Sequence, residues 1–432
     1  MRELGPEMDD YVWPDCSYAA MDKSLCYHSR RFLESKNQVD DAMFDKIPYV
    51  VNTVERVYAR TKVVWDGFPR DWDKFIREGV DWNSSPGWPW KRQYPTNRDL
   101  FGFDGVNLLP ERVEMVRAAV EARWSKLRDE PYADPIHLFI KQEPHKRSKA
   151  KKEAWRLISG VGLTDTLVDR ILYGAWLDKL IEDWPFIPSK AGWAPSANGF
   201  KFLTRKYRNR EPVSIDKSSW DWTVGEWHIR VLTELVPRMV FRGGEDWDKV
   251  FHNRMKATYH AGYPRFKPGC ECEFTQLVTG IQKSGSLNTI GFNSICQFAD
   301  HIAAGGDEND AFDSLGDDTA QEMVADLEHY LDQLRKTGAI VKEIDRGWPI
   351  KFGGHEMTEE KSIPCYRGKH MFALLHLDDR FGPETLDSYR HLYALDPEMS
   401  DFLERLTLKM YGPKNVLSQQ HLRDWYLAID QL

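Results

Sequence analysis

"FDSLGDDTAQE", residues 312 to 322, sets Asp317 and Asp318 side by side directly behind Gly316. Gly-Asp pairs are ordinary turn chemistry, because glycine accepts a positive φ and aspartate bonds its own neighbouring backbone. Adjacent carboxylates are also ligands for hard divalent cations. The triplet alone does not separate a turn from a metal site. Asp9-Asp10, Asp40-Asp41 and Asp378-Asp379 are acidic pairs with no evident task. What decides is what the rest of the chain supplies for Asp317 to work with.

With 432 residues, 41% of them hydrophobic, the chain is long enough for one large globular unit or two to three closely packed subdomains. No window approaches a membrane-spanning apolar run, and the start, MRELGPEMDDYVW, lacks the apolar core of a secretion signal. A soluble intracellular protein is expected. Six cysteines are too thinly spread for a disulfide framework, which points to free thiols in a reducing compartment, and Cys270-x-Cys272 lacks the second half of a zinc site. The net charge of −8 counts against a phosphate-rich partner only if charge is uniform. It is not. Residues 141–156, "KQEPHKRSKAKKEAWR", carry seven basic residues against two acidic ones, and 201–210, "KFLTRKYRNR", five against none. Both read as local phosphate-facing patches or as solvated helix faces.

Helical spacing of apolar residues predicts helices over 110–127, 164–184, 224–240, 290–304 and 322–338, the last ended by Gly338. Short strands are expected at 137–141, 155–160, 211–216, 339–344 and 369–377. The Trp- and Pro-rich stretch 65–90 reads as an irregular loop layer pinned by aromatics. Asp216 then stands at a strand tip with a helix following, a position suited to chemistry. Thr289 and Asn293, four apart, project from one helix face. Two-metal phosphoryl chemistry needs carboxylates from separate strands, since one side chain cannot hold two ions roughly 3.5–4 Å apart. Asp216 and Asp317 meet that need, and the 141–156 patch supplies cations for a triphosphate.

In chain order, "KQEPHKRSKAKKEAWRLI", "SIDKSSWDW", "SGSLNTIGFNS" and "LGDD" resemble motifs F, A, B and C of viral RNA-dependent RNA polymerases. The second has the family's D-x4-D spacing, and the third matches SG-xxx-T-xxx-NS at every fixed position. "NSSPGWPW" (83–90) is similar to motif G and "FGGHEM" (352–357) to the start of motif E. The Trp-bearing motif A and the "FGGH" segment resemble sobemovirus-like and luteovirus-like enzymes of plus-strand RNA viruses.

The resemblance implies an α+β right-hand polymerase with fingers, palm and thumb, its antiparallel palm sheet backed by helices. Residues 1–210 would form an N-terminal extension and fingers, 211–377 the palm with a fingers insertion near 240–282, and 378–432 a small helical thumb. The implied activity is template-directed RNA synthesis from ribonucleoside triphosphates. Asp216 and Asp317 would bind two Mg²⁺ ions, replaceable by Mn²⁺, with Asp318 in support. Asp221 would sense the ribose with Ser284, Thr289 and Asn293. Arg156, Lys141 and Lys149 would meet the incoming nucleotide, Lys151 and Lys152 being rivals of Lys149. Ser85, Pro86 and Gly87 would guide the template. Lys342 would be the motif D general acid, with Lys351 and Lys361 as rivals.

The implied partners are the RNA template and nascent strand, nucleoside triphosphates, a protein primer and other viral replication proteins. The implied location is the host cytoplasm, at membrane-associated replication complexes, without a membrane span of the chain's own. "DAFDSL" (310–315) is more polar than the apolar strand the family shows before its acidic pair. Two other readings compete: a different palm-type nucleotidyltransferase such as a reverse transcriptase, and a non-catalytic RNA-binding protein that stacks bases on its aromatics. Asp221 has a bland alternative too, as cap of the helix that follows it.

Overall fold

The computed structural model describes residues 6–269, 272–413 and 416–428. Cys270 lies outside them. The described cysteines are all free thiols, and no described helix is long and apolar enough to cross a membrane.

The 312–322 stretch folds as a hairpin. Phe312–Leu315 and Asp318–Glu322 pair antiparallel, with Leu315 opposite Asp318, so Gly316 and Asp317 form a two-residue turn. Gly316 has φ +63°, and glycine in the first central position is the II′ pattern, whose twist matches that of the flanking strands. A Cβ there would meet nothing within 4 Å. The demand for glycine is therefore conformational, not steric.

Asp318–Glu322 continues antiparallel onto Pro212–Lys217, which pairs antiparallel with Val341–Arg346. These four strands are the expected palm sheet. Helix Leu327–Lys336 lays Leu327, Tyr330, Leu331 and Leu334 on Val213 and Ile215, the i, i+3, i+4 face of an amphipathic helix. It is shorter than the expected 322–338. Glu322 is still in the sheet opposite Pro212, and the helix starts only where the Asp326 side chain accepts from His329 N–H at 3.0 Å. Gly338, φ +101°, follows its end.

The polarity of the strand before the acidic pair has a physical explanation. Asp313 is fully buried, and its carboxylate accepts from Lys206 Nζ (2.8 Å), Lys190 Nζ (3.0 Å) and the Tyr207 hydroxyl (2.8 Å). Burial would raise its pKa, but the two ammonium groups outweigh that and hold it low.

Helices Ile47–Val57, Pro110–Asp129, Leu163–Glu182, Glu226–Met239 and Gly244–Tyr259 share one core with the palm helix Thr289–Ala303. Trp176, Trp227 and Trp247 are fully buried in it, and each indole N–H finds an acceptor, Thr61 Oγ1, Met43 O and Leu172 O respectively. The 65–90 stretch is less irregular than expected, since Trp72–Gly79 is a helix capped by Asp71. Its aromatics do pin it. Trp65 stacks on Trp124 at 5.8 Å, and its N–H reaches Ile171 O at 2.9 Å.

Residues 369–377, expected as a strand, are mostly helix, Arg367–Leu375. Met371 and Leu374 share a face buried against Leu386, Tyr393, Phe402 and Leu403 of the C-terminal helices. A short apolar run does not separate strand from helix by periodicity, and tertiary packing decided it. The N-terminal segment closes the molecule on this side. Tyr11–Val12 pairs with His145–Lys146 of the 141–156 loop, while the turn Pro6–Asp10 packs on Arg367–Leu375.

Candidate active site

Asp216 and Asp318 stand on neighbouring strands, and Asp317 tops the hairpin between them and solvent. The three carboxylates act on one another. Asp317 is open to water at the tip yet walled in by the cleft, and that enclosure, with Asp216 nearby, raises its pKa against the pull of Arg156 and Lys149. Asp318 is pushed up to about 7 by burial, then by Asp317 and Asp216, while backbone N–H groups of Gly353 and Gly354 oppose the rise. Both glycines have positive φ, +58° and +73°, the I′ pattern of the hairpin between Ile350–Phe352 and His355–Met357.

A β-bulge between Val341 and Glu343 turns Lys342 onto Asp216, where the two form an ion pair. Its rivals lie elsewhere: Lys351 bonds Asp345 at 2.9 Å, and Lys361 N–H lies in the loop around Thr358. Crowded carboxylates, with the pKa of Asp317 and Asp318 raised and Lys342 paired to Asp216, are a donor set suited to hard divalent cations. Among the described residues, no three His, Cys, Asp or Glu side chains close into a finished metal cage.

The sequence-predicted ribose group is brought together in part. Asn293 Nδ2 donates to Asp221 Oδ1 at 2.8 Å, and burial, the leading cause, pushes the Asp221 pKa up to about 6. Asn293 Oδ1 is buried with no partner, an acceptor left over for a ligand. Asp221 belongs to the short helix Trp220–Thr223, and the following helix Glu226–Met239 is preceded by Gly225, so Asp221 does not cap it. Ser284 Oγ accepts from Ser159 N–H at 3.1 Å, docking its loop on the strand Leu157–Gly160. Thr289 Oγ1 turns into the same loop, bonding Lys283 O and Ser286 O at 2.9 Å each.

On the opposite wall, Glu143 gathers three cations, with Arg156 and Lys141 at 3.2 Å and Lys369 at 3.0 Å. Burial would raise the Glu143 pKa, but Lys369, Lys141 and Arg156 overcome it and hold it at about 2. Burial, then Arg156 and Lys342, lower the Lys149 pKa against the pull of Asp216, so its ammonium is within electrostatic reach of the acidic group. Ser85, Pro86 and Gly87 lie at the start of Leu163–Glu182. Pro86 O accepts from Leu163 N–H at 2.8 Å, and a Cβ on Gly87 would strike Gly162 Cα at 2.8 Å. Beside them Lys267, Lys91 and Arg92 surround the Trp88 ring at 5.0, 5.2 and 5.5 Å.

Sequence reasoning missed the residues that hold this geometry. Gln297 Nε2 donates to Asp317 O at 3.0 Å and also bonds the buried Lys217, which lies 3.4 Å from Asp300. Ser294 Oγ accepts from Gly316 N–H at 2.9 Å. Ser294 is the last fixed position of the motif B pattern and was legible there. Gln297, one turn further, carried no signal.

The family described as viral RNA-directed RNA-polymerase matches residues 31–199. The "RNA-directed RNA polymerase" of Mushroom bacilliform virus is 29% identical over 291 residues, covering 61% of this chain and 67% of that protein. A solved structure, "Sicinivirus 3Dpol RNA dependent RNA polymerase", superposes with a TM-score of 0.66 over 89% of this chain and 86% of that one, at 14% identity. In sequence and fold this chain is similar to viral RNA-directed RNA polymerases. The fold is accordingly the right hand. "Protein P1-P2" of Potato leafroll virus is 26% identical over 90% of the chain, and "Replicase polyprotein P2AB" of Southern bean mosaic virus 28% over 67%. The chain spans 39% and 31% of the length of those two relatives.

Proposed function

We propose that this chain synthesises RNA on an RNA template from ribonucleoside triphosphates, replicating a viral genome. The observation that carries the reading is the meeting of Asp216 and Asp318 on adjacent strands with Asp317 in the hairpin turn, within electrostatic reach of Arg156 and Lys149. These three carboxylates would hold two Mg²⁺ ions, with Mn²⁺ as a substitute, Asp216 and Asp317 directly and Asp318 in support. Such ions, when bound, activate a 3′-hydroxyl and offset the charge of the departing pyrophosphate.

The chain's own groups do the rest. Arg156, Lys141 and Lys149 receive the triphosphate, which displaces Glu143 from its cations. Asn293 Oδ1, unpartnered beside Asp221, accepts from the ribose 2′-hydroxyl, and Ser284 and Thr289 shape the loop beneath. Lys342, whose proton is held by Asp216 against the effect of burial, donates it to pyrophosphate. Ser85, Pro86 and Gly87 guide the template past the basic rim around Trp88. We assign residues 1–210 to fingers, 211–377 to palm and 378–432 to thumb, and the setting to replication complexes in the host cytoplasm, with a protein primer and other viral proteins as partners.

The decisive test is Asp317→Asn. Mg²⁺-dependent incorporation of labelled UTP on a homopolymer template is expected to vanish while RNA binding persists. Incorporation equal to wild type would refute the role of Asp317 and favour a non-catalytic RNA-binding protein, whereas preference for dTTP over UTP would favour a reverse transcriptase.

A further inference from the structure

The second basic segment, 201–210, takes no part in the cleft. Helix Gly199–Lys206 buries Phe200 and Leu203 in a core with Tyr426 and borders a cavity of about 1020 Å³. Phe312 also lines that cavity, whereas Asp317 caps the other end of the same hairpin. The cavity therefore lies outside the catalytic cleft.

Its charge is uncompensated. Arg208 and Arg210 are engaged by Glu359 and Glu322, and Lys206 by Asp313. Lys201 and Arg205, one helical turn apart and both lining the cavity, form no ion pair with a described residue. The acids of the cavity wall have partners of their own, Glu308 with Arg56 at 2.7 Å and Asp310 with His301 at 3.2 Å. Apolar rings complete the walls. Phe186 is 64% exposed, with the Arg60 guanidinium over one face at 3.7 Å and the other face left for a base, and Phe202 is 41% exposed, edge-on to Trp184 at 4.9 Å. Asn198, in the left-handed region at φ +63°, gives its amide to Leu427 O and keeps a buried Oδ1 without a partner at the cavity.

Two cations outside any ion pair among the described residues, Lys201 over the Phe200 ring at 5.8 Å and Arg205 near Glu359, exposed rings and an unused acceptor match a nucleotide: phosphate, base and an amino or hydroxyl donor. We propose that this cavity is an accessory site for single-stranded RNA, with bases on Phe186 and Phe202 and phosphates on Lys201 and Arg205. The ligand class rests on the polymerase reading; the site is separate from its chemistry. It would hold a strand before or after the cleft and so keep the enzyme on its template.

The test uses the full chain with a primer–template hairpin already seated in the cleft, and follows a labelled oligouridylate by anisotropy over a salt series. Lys201→Ala/Arg205→Ala is expected to weaken oligouridylate binding on the order of tenfold and to flatten the log–log salt slope by about 1.4, the value for two phosphate contacts to a single strand. UTP incorporation on the seated hairpin should stay at wild-type level, which also reports that the variant folds. If the double variant melts early, Arg205→Ala alone should flatten the slope by about half as much. Unchanged affinity and slope would overturn the site. Displacement of the oligouridylate by free UTP would show a mononucleotide site instead. Displacement by polyglutamate, lost in the double variant, would show a docking site for an acidic protein. A failure of the polymerase reading would show separately, as absent incorporation by the wild type.

Discussion

At Gly316 the requirement is a backbone angle. Because nothing lies within 4 Å of an added methyl and φ is +63°, Gly316→Ala would act through left-handed strain alone, about 1–2 kcal/mol. A drop in melting temperature and a loss of incorporation greater than that of Gly316→Asn are expected, since asparagine tolerates this region better. An alanine variant as stable and active as wild type would mean the turn has another way to present Asp317. At Asn293 the expectation concerns selectivity. Asn293→Leu removes both the bond to Asp221 and the free Oδ1, and a buried polar group left unpaired costs about 1–3 kcal/mol. The preference for UTP over dTTP should fall by roughly tenfold to a hundredfold, read from competing incorporation; an unchanged preference would remove Asn293 from ribose recognition.

Helix Tyr18–Gln38 is fastened to the 141–156 loop by His28, whose ring nitrogen meets Trp155 O at 2.8 Å and whose ring stacks on Trp222 at 5.0 Å. Burial, opposed by the Trp155 bond, lowers the His28 pKa to about 4. A depressed folded-state pKa means that the neutral ring stabilises the fold above the unfolded value of about 6.5, and that this contribution is lost as pH falls from there toward 4. The two values differ by enough for on the order of 3 kcal/mol. His28→Gln keeps a donor but cannot titrate. Melting temperatures across that window should therefore fall more steeply for wild type than for the variant, and parallel curves would assign the acid sensitivity elsewhere. Elements were legible where a period ran long, as in Pro110–Asp129 and Leu163–Glu182. They failed where tertiary context overrode a short run, as in Arg367–Leu375, and where the helical pattern was begun too early, at Glu322, which is still in the strand Asp318–Glu322.

Across the whole molecule, the 141–156 loop and the helix Arg367–Leu375 are joined at two places: the Tyr11–Val12 strand with the Pro6–Asp10 turn, and the Lys369 to Glu143 bridge at 3.0 Å. Removing residues 1–12 together with Lys369→Ala should open this ring. Faster amide exchange is expected in 145–152 and 367–375, along with shorter residence on RNA; unchanged exchange there would show that the ring is held by other contacts. The candidate site residues could be placed from sequence because fixed spacings reflect fixed geometry, Asp216 to Asp221 on one strand–helix corner and Ser284 to Ser294 on one loop and helix. The supports were not. Glu143, Gln297 and Lys369 act through partners distant in sequence, and nothing local marks a side chain whose task is to hold another.

Asp313 closes the account of the hairpin as its gauge. Side chains alternate along a strand, so a slip of one residue, about 3.3 Å, would turn this carboxylate out of its pocket and strand Lys190 and Lys206 without their counter-charge. The hairpin has one permitted height. A buried ion pair at the foot of the strand thereby sets how far Asp317 reaches at its head, and the strand that looked too polar for its place carries the ruler for the acidic tip.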